Sequence, residues 1–241
     1  MDDDLLFLSA THAARRIKAG ELLSTDYVGA VLDAIDASQA TLNAFVTVDR
    51  DQAMTAAAAA DATVASGAKT GPLHGVPVSV KDMVAVAGMP IKNGSFTCEN
   101  DVPEHDAPAV RRLRSGGAIV VGKTTTPEFG HKGMTDSVLS GTTRNPWDLE
   151  RTPGGSSGGA AAAVAAGLAP LGIGTDGAGS IRGPAATTGI VGHKPTRGMV
   201  PHPARSDPFG NQSFTGPMTR TIADAVSMVR LMSGPDTSDP W

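Results

Sequence analysis

Short apolar runs alternate with helix-forming segments along most of this 241-residue chain, and this alternation limits the fold more than any other feature of the sequence. Three of the runs, at residues 76–80, 118–121 and 171–175, are typical of buried β-strands. A strand without polar alternation fits a sheet that is covered by helices. The sequence therefore predicts an α/β layered fold with a substantially buried sheet.

Helix caps and apolar spacing place the predicted helices before and between these runs. Gly67 ends an Ala-rich helix, and Thr221 caps a helix in which Asp224 takes the capping-box position. The predicted helical segments are 9–20, one that begins at 24 or 25, 51–66, 109–115, 157–166 and one that begins at 221. Shorter β-like runs are predicted at 43–48 and 190–193.

The chain is predicted to form one domain over residues 1–241, because no linker divides it and no repeat of fixed period is found. Within that domain, residues 1–66 are expected to form an N-terminal helical segment and residues 67–241 the catalytic α/β core. Hydrophobic residues make up 40% of the chain, which is enough to bury a core.

Composition and charge exclude several classes of protein. The net charge of −4 gives no basic field for nucleic acid, and no apolar stretch is long enough to span a bilayer. A single cysteine, Cys98, rules out an internal disulfide and a cysteine-based zinc cluster. The acidic start at residues 1–4 lacks the positive charge of a signal peptide. We therefore expect a cytoplasmic protein with neither a nucleic-acid nor a membrane partner.

Two glycine motifs match nucleotide-binding patterns, but their contexts do not fit. Residues 117–124 have the phosphate-loop spacing, yet apolar β-formers fill the loop and Pro127 prevents a normal helix start. Residues 172–177 have the dinucleotide spacing, yet no acidic residue follows about 20 positions later to hold a ribose. Both segments are better explained as strands.

A histidine-dependent hydrolase is the alternative catalytic hypothesis. Residues 154–158 satisfy the nucleophile-elbow pattern, and His193, His202 and Asp224 could complete a triad. A true elbow follows a hydrophobic strand, whereas residues 148–153 are typical of a turn. The six histidines show no metal-ligand spacing, so no metal site is predicted.

Three segments combine residue types that suit acyl-group chemistry. Lys81 leaves an apolar strand, where burial would lower its pKa and let it act as a base. Four glycines surround two serines at residues 153–159, and glycines allow a close-packed backbone that presents hydroxyls. Residues 174–182 place backbone N–H groups where a strand ends, and such groups can hold a developing oxyanion. The structural alternatives are a lysine paired with Asp82, a flexible loop and an ordinary tight turn.

Together these segments resemble the amidase signature family of serine hydrolases. The supporting motifs lie at residues 123–130, 145–148, 151–159 and 192–196. The resemblance runs from about residue 5 to the end of the chain. It implies the family's layered fold, a mixed β-sheet covered by helices, and the hydrolysis of carboxylic amides to an acid and an amine or ammonia.

The resemblance also implies a Ser–Ser–Lys triad. Ser180 would be the nucleophile, Ser156, which in the family follows a cis peptide bond, would be the bridge, and neutral Lys81 would be the ultimate base. Asp176 and Arg182 would be scaffold charges. The acyl-enzyme would be hydrolysed by water, and no metal or organic cofactor would be required.

Backbone groups complete the site that the resemblance implies. The N–H groups of Gly177, Ala178, Gly179 and Ser180 would form the oxyanion hole, and Gly130 would line the acyl pocket. Many family members carry glycine where this chain has Ala178. The added Cβ narrows the allowed backbone, and it would distort the hole if this position required a positive φ.

Family domains are roughly double the length of this chain, which implies that the half completing the sheet and pocket lies outside it. Three functions therefore stay open: an amide hydrolase, a glutamine-hydrolysing amidotransferase subunit of the A type, and a catalytically silent fragment or assembly partner. The expected partners are a small-molecule amide substrate and either a complementary C-terminal half or further copies of this chain.

Overall fold

The computed structural model describes residues 3–98, 101–202 and 213–239. Its strands are β1 (Phe45–Val48), β2 (Pro77–Lys81), β3 (Ile119–Thr124), β4 (Asp136–Ser137), β5 (Gly141–Thr142), β6 (Leu171–Asp176), β7 (Val191–Gly192) and β8 (Phe214–Thr219). Its α-helices are α1 (Asp3–Leu6), α2 (Ala10–Lys18), α3 (Ser24–Leu42), α4 (Arg50–Ala65), α5 (Pro108–Ser115), α6 (Gly158–Ala165), α7 (Arg182–Thr188) and α8 (Ile222–Met232). Short 3₁₀ turns lie at Phe96–Cys98 and Glu128–Gly130.

The centre of the fold is a mixed sheet of six strands among the described residues, in the order β1-β3-β2-β6-β8-β7. Strand β2 is parallel to both β3 and β6, whereas β1, β8 and β7 pair antiparallel with their neighbours. All residues of β2, β3 and β6 are buried, because helices cover the sheet. The predicted α/β layered fold with a mixed sheet is confirmed.

The helix with the smallest side chains lies against the central strands of the sheet. Helix α6 contains glycine, alanine and one valine, and it packs against β2, β6 and β8. Its small side chains allow close approach: a Cβ on Gly159 would lie only 2.5 Å from the backbone nitrogen of Thr125. This close packing fixes the segment before α6, where the predicted serines lie.

Most predicted helices agree with the structure, although α3, α5 and α6 have no side-chain hydrogen bond at their N-caps. Ser9 accepts a hydrogen bond from the N–H of His12 at the start of α2, and α4 ends one residue before Ser66. β1 confirms the β-like run at residues 43–48, and its antiparallel pairing with β3 adds the N-terminal segment to the main sheet.

The capping box predicted for α8 is only half formed. Thr221 accepts a hydrogen bond from the N–H of Asp224, as expected. The carboxylate of Asp224 does not return to Thr221, because it accepts the N–H groups of Ala10 at 3.1 Å and Thr11 at 2.8 Å. Asp224 therefore joins α8 to the first turn of α2.

The glycine motifs that resemble nucleotide-binding loops lie in strands, as their apolar composition predicts. Residues 119–124 form β3 and residues 171–176 form β6, both within the central sheet. Among the described residues, no helix combines the length and apolarity needed to cross a membrane.

Candidate active site

Lys81 ends the central strand β2 and is completely buried. Its Nζ lies 2.6 Å from Ser156 Oγ and 2.8 Å from Thr175 Oγ1. Thr175 lies on β6, the strand beside β2, so the lysine reaches one hydroxyl from the sheet and one from the segment before α6. An amine held between two hydroxyls can exchange a proton with either one.

Burial sets the proton affinity of this amine. Removal from water disfavours the ammonium form and lowers the pKa of Lys81 from 10.5 to about 7, although the charges of Asp176 and Asp82 oppose the change. A lysine with a pKa of about 7 is substantially neutral at neutral pH, and a neutral amine can accept a proton.

Ser156 and Ser157 are fixed by the turn that leads into α6. The Gly155–Ser156 peptide bond is cis. Ser157 Oγ donates to the carbonyl of Thr175 and accepts its N–H, each at 3.2 Å, while the N–H of Ser157 donates to the carbonyl of Ser180 at 3.2 Å. Ser157 therefore ties the serine segment both to β6 and to the residue predicted to be the nucleophile.

Asp176, the last residue of β6, holds the backbone around Ser180. Its buried carboxylate accepts the N–H groups of Gly179 at 2.8 Å and Ile181 at 3.1 Å, together with two side-chain hydrogen bonds of 2.9 Å from Arg182. Burial alone would raise the pKa of Asp176, but these hydrogen bonds lower it to about 2. The carboxylate thus stays charged at neutral pH, as expected of a scaffold charge.

A cleft of about 480 Å³ brings most of the predicted site residues together. Gly130, Ala178, Gly179 and Ser180 line it. Lys81 lies behind these residues and reaches the site through Ser156. In the described part of the chain no hydrogen bond joins the hydroxyls of Ser156 and Ser180, so any direct proton transfer between them requires the two oxygens to move closer together.

Not all of the N–H groups predicted to form the oxyanion hole are available, because one of them already donates a hydrogen bond within the protein. Gly177 and Ala178 are exposed, whereas the N–H of Gly179 is donated to Asp176. Gly179 has a φ of 117°, which requires glycine, but Ala178 is not among the residues with positive φ. The Cβ of Ala178 therefore causes no backbone strain of the predicted kind.

Gly130 lies directly beside Ser156. It has a φ of 68°, and a Cβ built there would lie 3.2 Å from Ser156 Oγ and 2.9 Å from Met83 Sδ.

We expect Gly130→Ala to slow labelling of Ser180 by a fluorophosphonate, a probe that reacts with nucleophilic serines, at least tenfold. The added methyl group strains the backbone and displaces the hydroxyl of Ser156. The matched control is Gly29→Ala in α3, where a Cβ meets nothing within 4 Å. Equal labelling rates in the two variants would contradict this placement.

Sequence reasoning missed Thr175, which supplies the second hydroxyl contact of Lys81. Its position within β6 carries no separate signal, because the contact depends on the pairing of β6 with β2. The structure does not bring together the triad of the histidine-dependent alternative. The carboxylate of Asp224 accepts N–H groups at the start of α2, and His202 Nδ1 lies 2.9 Å from Thr215 Oγ1.

Comparison with known proteins shows the family of this chain. The family model described as Amidase matches residues 26–241. The chain therefore belongs to the amidase signature family.

Similar proteins include hydrolases and components of amidotransferases. The chain is 44% identical to an acylamidase of Rhodococcus erythropolis, over 99% of this chain and 50% of the relative. It is 45% identical to the A-type subunit of the glutamyl-tRNA(Gln) amidotransferase of Acidothermus cellulolyticus, over 98% of this chain and 47% of that protein. The chain thus spans about half the length of these relatives.

Solved structures agree over the same portion. A bacterial aryl acylamidase described as an amidase signature enzyme superposes with a TM-score of 0.92 at 34% identity, over 97% of this chain and 49% of that one. The peptide amidase of Stenotrophomonas maltophilia superposes with a TM-score of 0.91 at 40% identity, also over 97% and 49%.

Proposed function

We propose that this chain hydrolyses carboxylic amides with Ser180 as nucleophile, Ser156 as proton bridge and Lys81 as base. One observation carries the proposal: the fully buried Nζ of Lys81 lies 2.6 Å from Ser156 Oγ. Lys81 is buried, and no carboxylate of the described residues lies within hydrogen-bond distance of its Nζ. Both conditions favour the neutral amine, which is the form a base requires. The relatives described as acylamidase and peptide amidase support an amide as the substrate.

The reaction proceeds through an acyl-enzyme. Ser180 Oγ attacks the amide carbonyl while its proton passes to Ser156 Oγ, whose own proton moves to Lys81 Nζ. When the tetrahedral intermediate collapses, the same path returns a proton to the leaving nitrogen and the C–N bond breaks. Water then attacks the ester of Ser180 and gives a proton to Lys81 through Ser156. The C–O bond to Ser180 breaks, the acid is released, and the proton returns through Ser156 to Ser180 Oγ.

Backbone N–H groups stabilise the negative oxygen of the tetrahedral intermediate. Gly177 and Ala178 are exposed at the end of β6 and available for this role, together with Ser180. The N–H of Gly179 would have to leave Asp176 in order to join them. Removal of one such donor typically costs about 10²–10³-fold in rate.

A fluorophosphonate probe tests the nucleophile directly. The intact chain should be labelled at Ser180, as mapped by mass spectrometry, and Ser180→Ala should abolish the labelling. His193→Ala and His202→Ala should leave labelling intact, because the proposed base is a lysine. Loss of labelling in either histidine variant would favour the histidine-dependent hydrolase instead.

The pH dependence of labelling follows from the pKa of Lys81. Protonated Lys81 cannot accept the proton of Ser156, so the labelling rate should rise with pH and reach half its maximum near pH 7. The measurement is the rate constant for labelling between pH 5 and about pH 9 at constant ionic strength. A rate that falls as pH rises through this range would contradict a neutral lysine base.

We also propose that complete turnover requires a complementary C-terminal half, in this chain's own protein or a partner. The support is that this chain aligns with about half of each relative. The test measures labelling and amide turnover for this chain alone and for this chain mixed with the complementary half. Labelling without turnover, with turnover restored in the mixture, is expected; full turnover by the chain alone would overturn it.

A further inference from the structure

A buried ion pair lies directly behind the proposed base. Lys123 of β3 and Asp82, which follows Lys81, are 0% and 1% exposed. Lys123 Nζ lies 3.9 Å from Asp82 Oδ1 and donates to the carbonyls of Asp82 at 2.9 Å and Pro90 at 3.3 Å. Lysine and aspartate are seldom this buried unless they are paired, and removing one partner leaves an uncompensated charge.

The pair also holds a loop that contacts the turn containing Gly130. The Asp82 carboxylate accepts the N–H groups of Lys92 and Gly94, each at 3.2 Å. Between them, the carbonyl of Asn93 accepts the N–H of Phe129 at 2.7 Å. A continuous set of contacts therefore runs from Lys123 through Asp82 to the residue beside Ser156.

Charge around Lys81 comes from several elements of the fold. The charges of Asp176 on β6 and of Asp82, just after β2, favour the ammonium form of Lys81. Arg182 of α7 pairs with Asp176, Lys123 of β3 pairs with Asp82, and the half-buried Lys92 lies in the following loop. Helix α6 and strand β8, which also pack at this centre, contain no titratable side chain.

We propose that Lys123 is a positioning residue for Lys81: its ammonium group compensates the charge of Asp82 and so permits Lys81 to act as a neutral base. The proposal rests on the base role proposed for Lys81. It accounts for a second fully buried lysine beside the site, which the triad itself does not use. The same ammonium group anchors Asp82, and through it the loop at residues 92–94.

The test compares pH profiles of fluorophosphonate labelling in four proteins: the wild-type chain, Lys123→Met, Asp82→Asn and the double variant. Loss of the Lys123 charge should move the half-maximal pH up by about one unit, because the ammonium form of Lys81 gains stability. Loss of the Asp82 charge should move it down by a similar amount. The double variant should return close to the wild-type value.

Controls separate this proposal from a purely structural role. Lys18→Met removes an exposed lysine of α2 and should leave the half-maximal pH unchanged. Circular dichroism identifies variants that fold, and if Lys123→Met does not, Asp82→Asn and the double variant still give a shift and its reversal. Variants that label more slowly at every pH with an unmoved midpoint would overturn the proposal. That outcome would leave the proposed base role of Lys81 intact, whereas unchanged labelling in Lys81→Met would overturn that role itself.

Discussion

Replacing Lys81 with methionine is expected to slow labelling of Ser180 by about 10²–10⁴-fold at pH 8, the usual contribution of a positioned base. Methionine has a similar length and suits a buried site, but it cannot accept the proton that Ser156 passes on. The measurement is the second-order rate constant for a fluorophosphonate. The variant also removes the free-energy cost of burying an amine. The midpoint of its thermal unfolding should therefore not fall below that of the wild-type chain.

The control for this experiment is Lys18→Met, an equally drastic change of side chain at an exposed position of α2. It should label at the wild-type rate. A Lys81→Met chain that is folded and labels as fast as the control would show that Ser180 is activated without the lysine. In that case the triad would be wrong even if Ser180 is the labelled residue.

Replacing Asp176 with alanine is expected to lower the free energy of unfolding by about 3 kcal/mol, because a buried carboxylate with one charged partner and several backbone N–H partners is lost. The N–H groups of Gly179 and Ile181 lose their acceptor, and Arg182 loses its bidentate partner. The segment carrying Ser180 should then lose its fixed position, so labelling should fall by at least tenfold. Urea denaturation and the labelling rate measure the two effects.

Asp33→Ala provides the comparison for Asp176→Ala, because Asp33 forms an exposed ion pair with Arg50. Exposed pairs are typically worth under about 1 kcal/mol, so its unfolding free energy should hardly change. An equal loss of unfolding free energy in the two variants would indicate that Asp176 has no anchoring role. Normal labelling in a destabilised Asp176→Ala chain would separate its contribution to stability from any contribution to the site.

Local sequence signals were sufficient for most of the fold. Caps and spacing predicted the course of α2 and α4, and apolar runs predicted the three central strands. β8 was not predicted, because Gly216 and Pro217 interrupt its pattern and neither favours a strand. Its place beside β6 is set by long-range pairing, which local propensity cannot reveal.

The site divides in the same way. Lys81 and the serine segments stand out by residue type, since a lysine in an apolar strand and serines among glycines are unusual. The contact of Lys81 with Thr175 depends on the alignment of β2 with β6, and the pair of Asp82 with Lys123 depends on the alignment of β2 with β3. The carboxylate of Asp224 stabilises α2, more than 200 residues earlier in the chain, which its position in α8 could not indicate.

The protonation state of Lys81 itself is the most direct test of the proposed mechanism. NMR of chain labelled with ¹⁵N-lysine, with Lys81→Met used to assign the signal, follows the titration of its Nζ. We predict a midpoint near pH 7, far below that of an exposed lysine. An Nζ that remains an ammonium group above about pH 9 would contradict a neutral base beside Ser156.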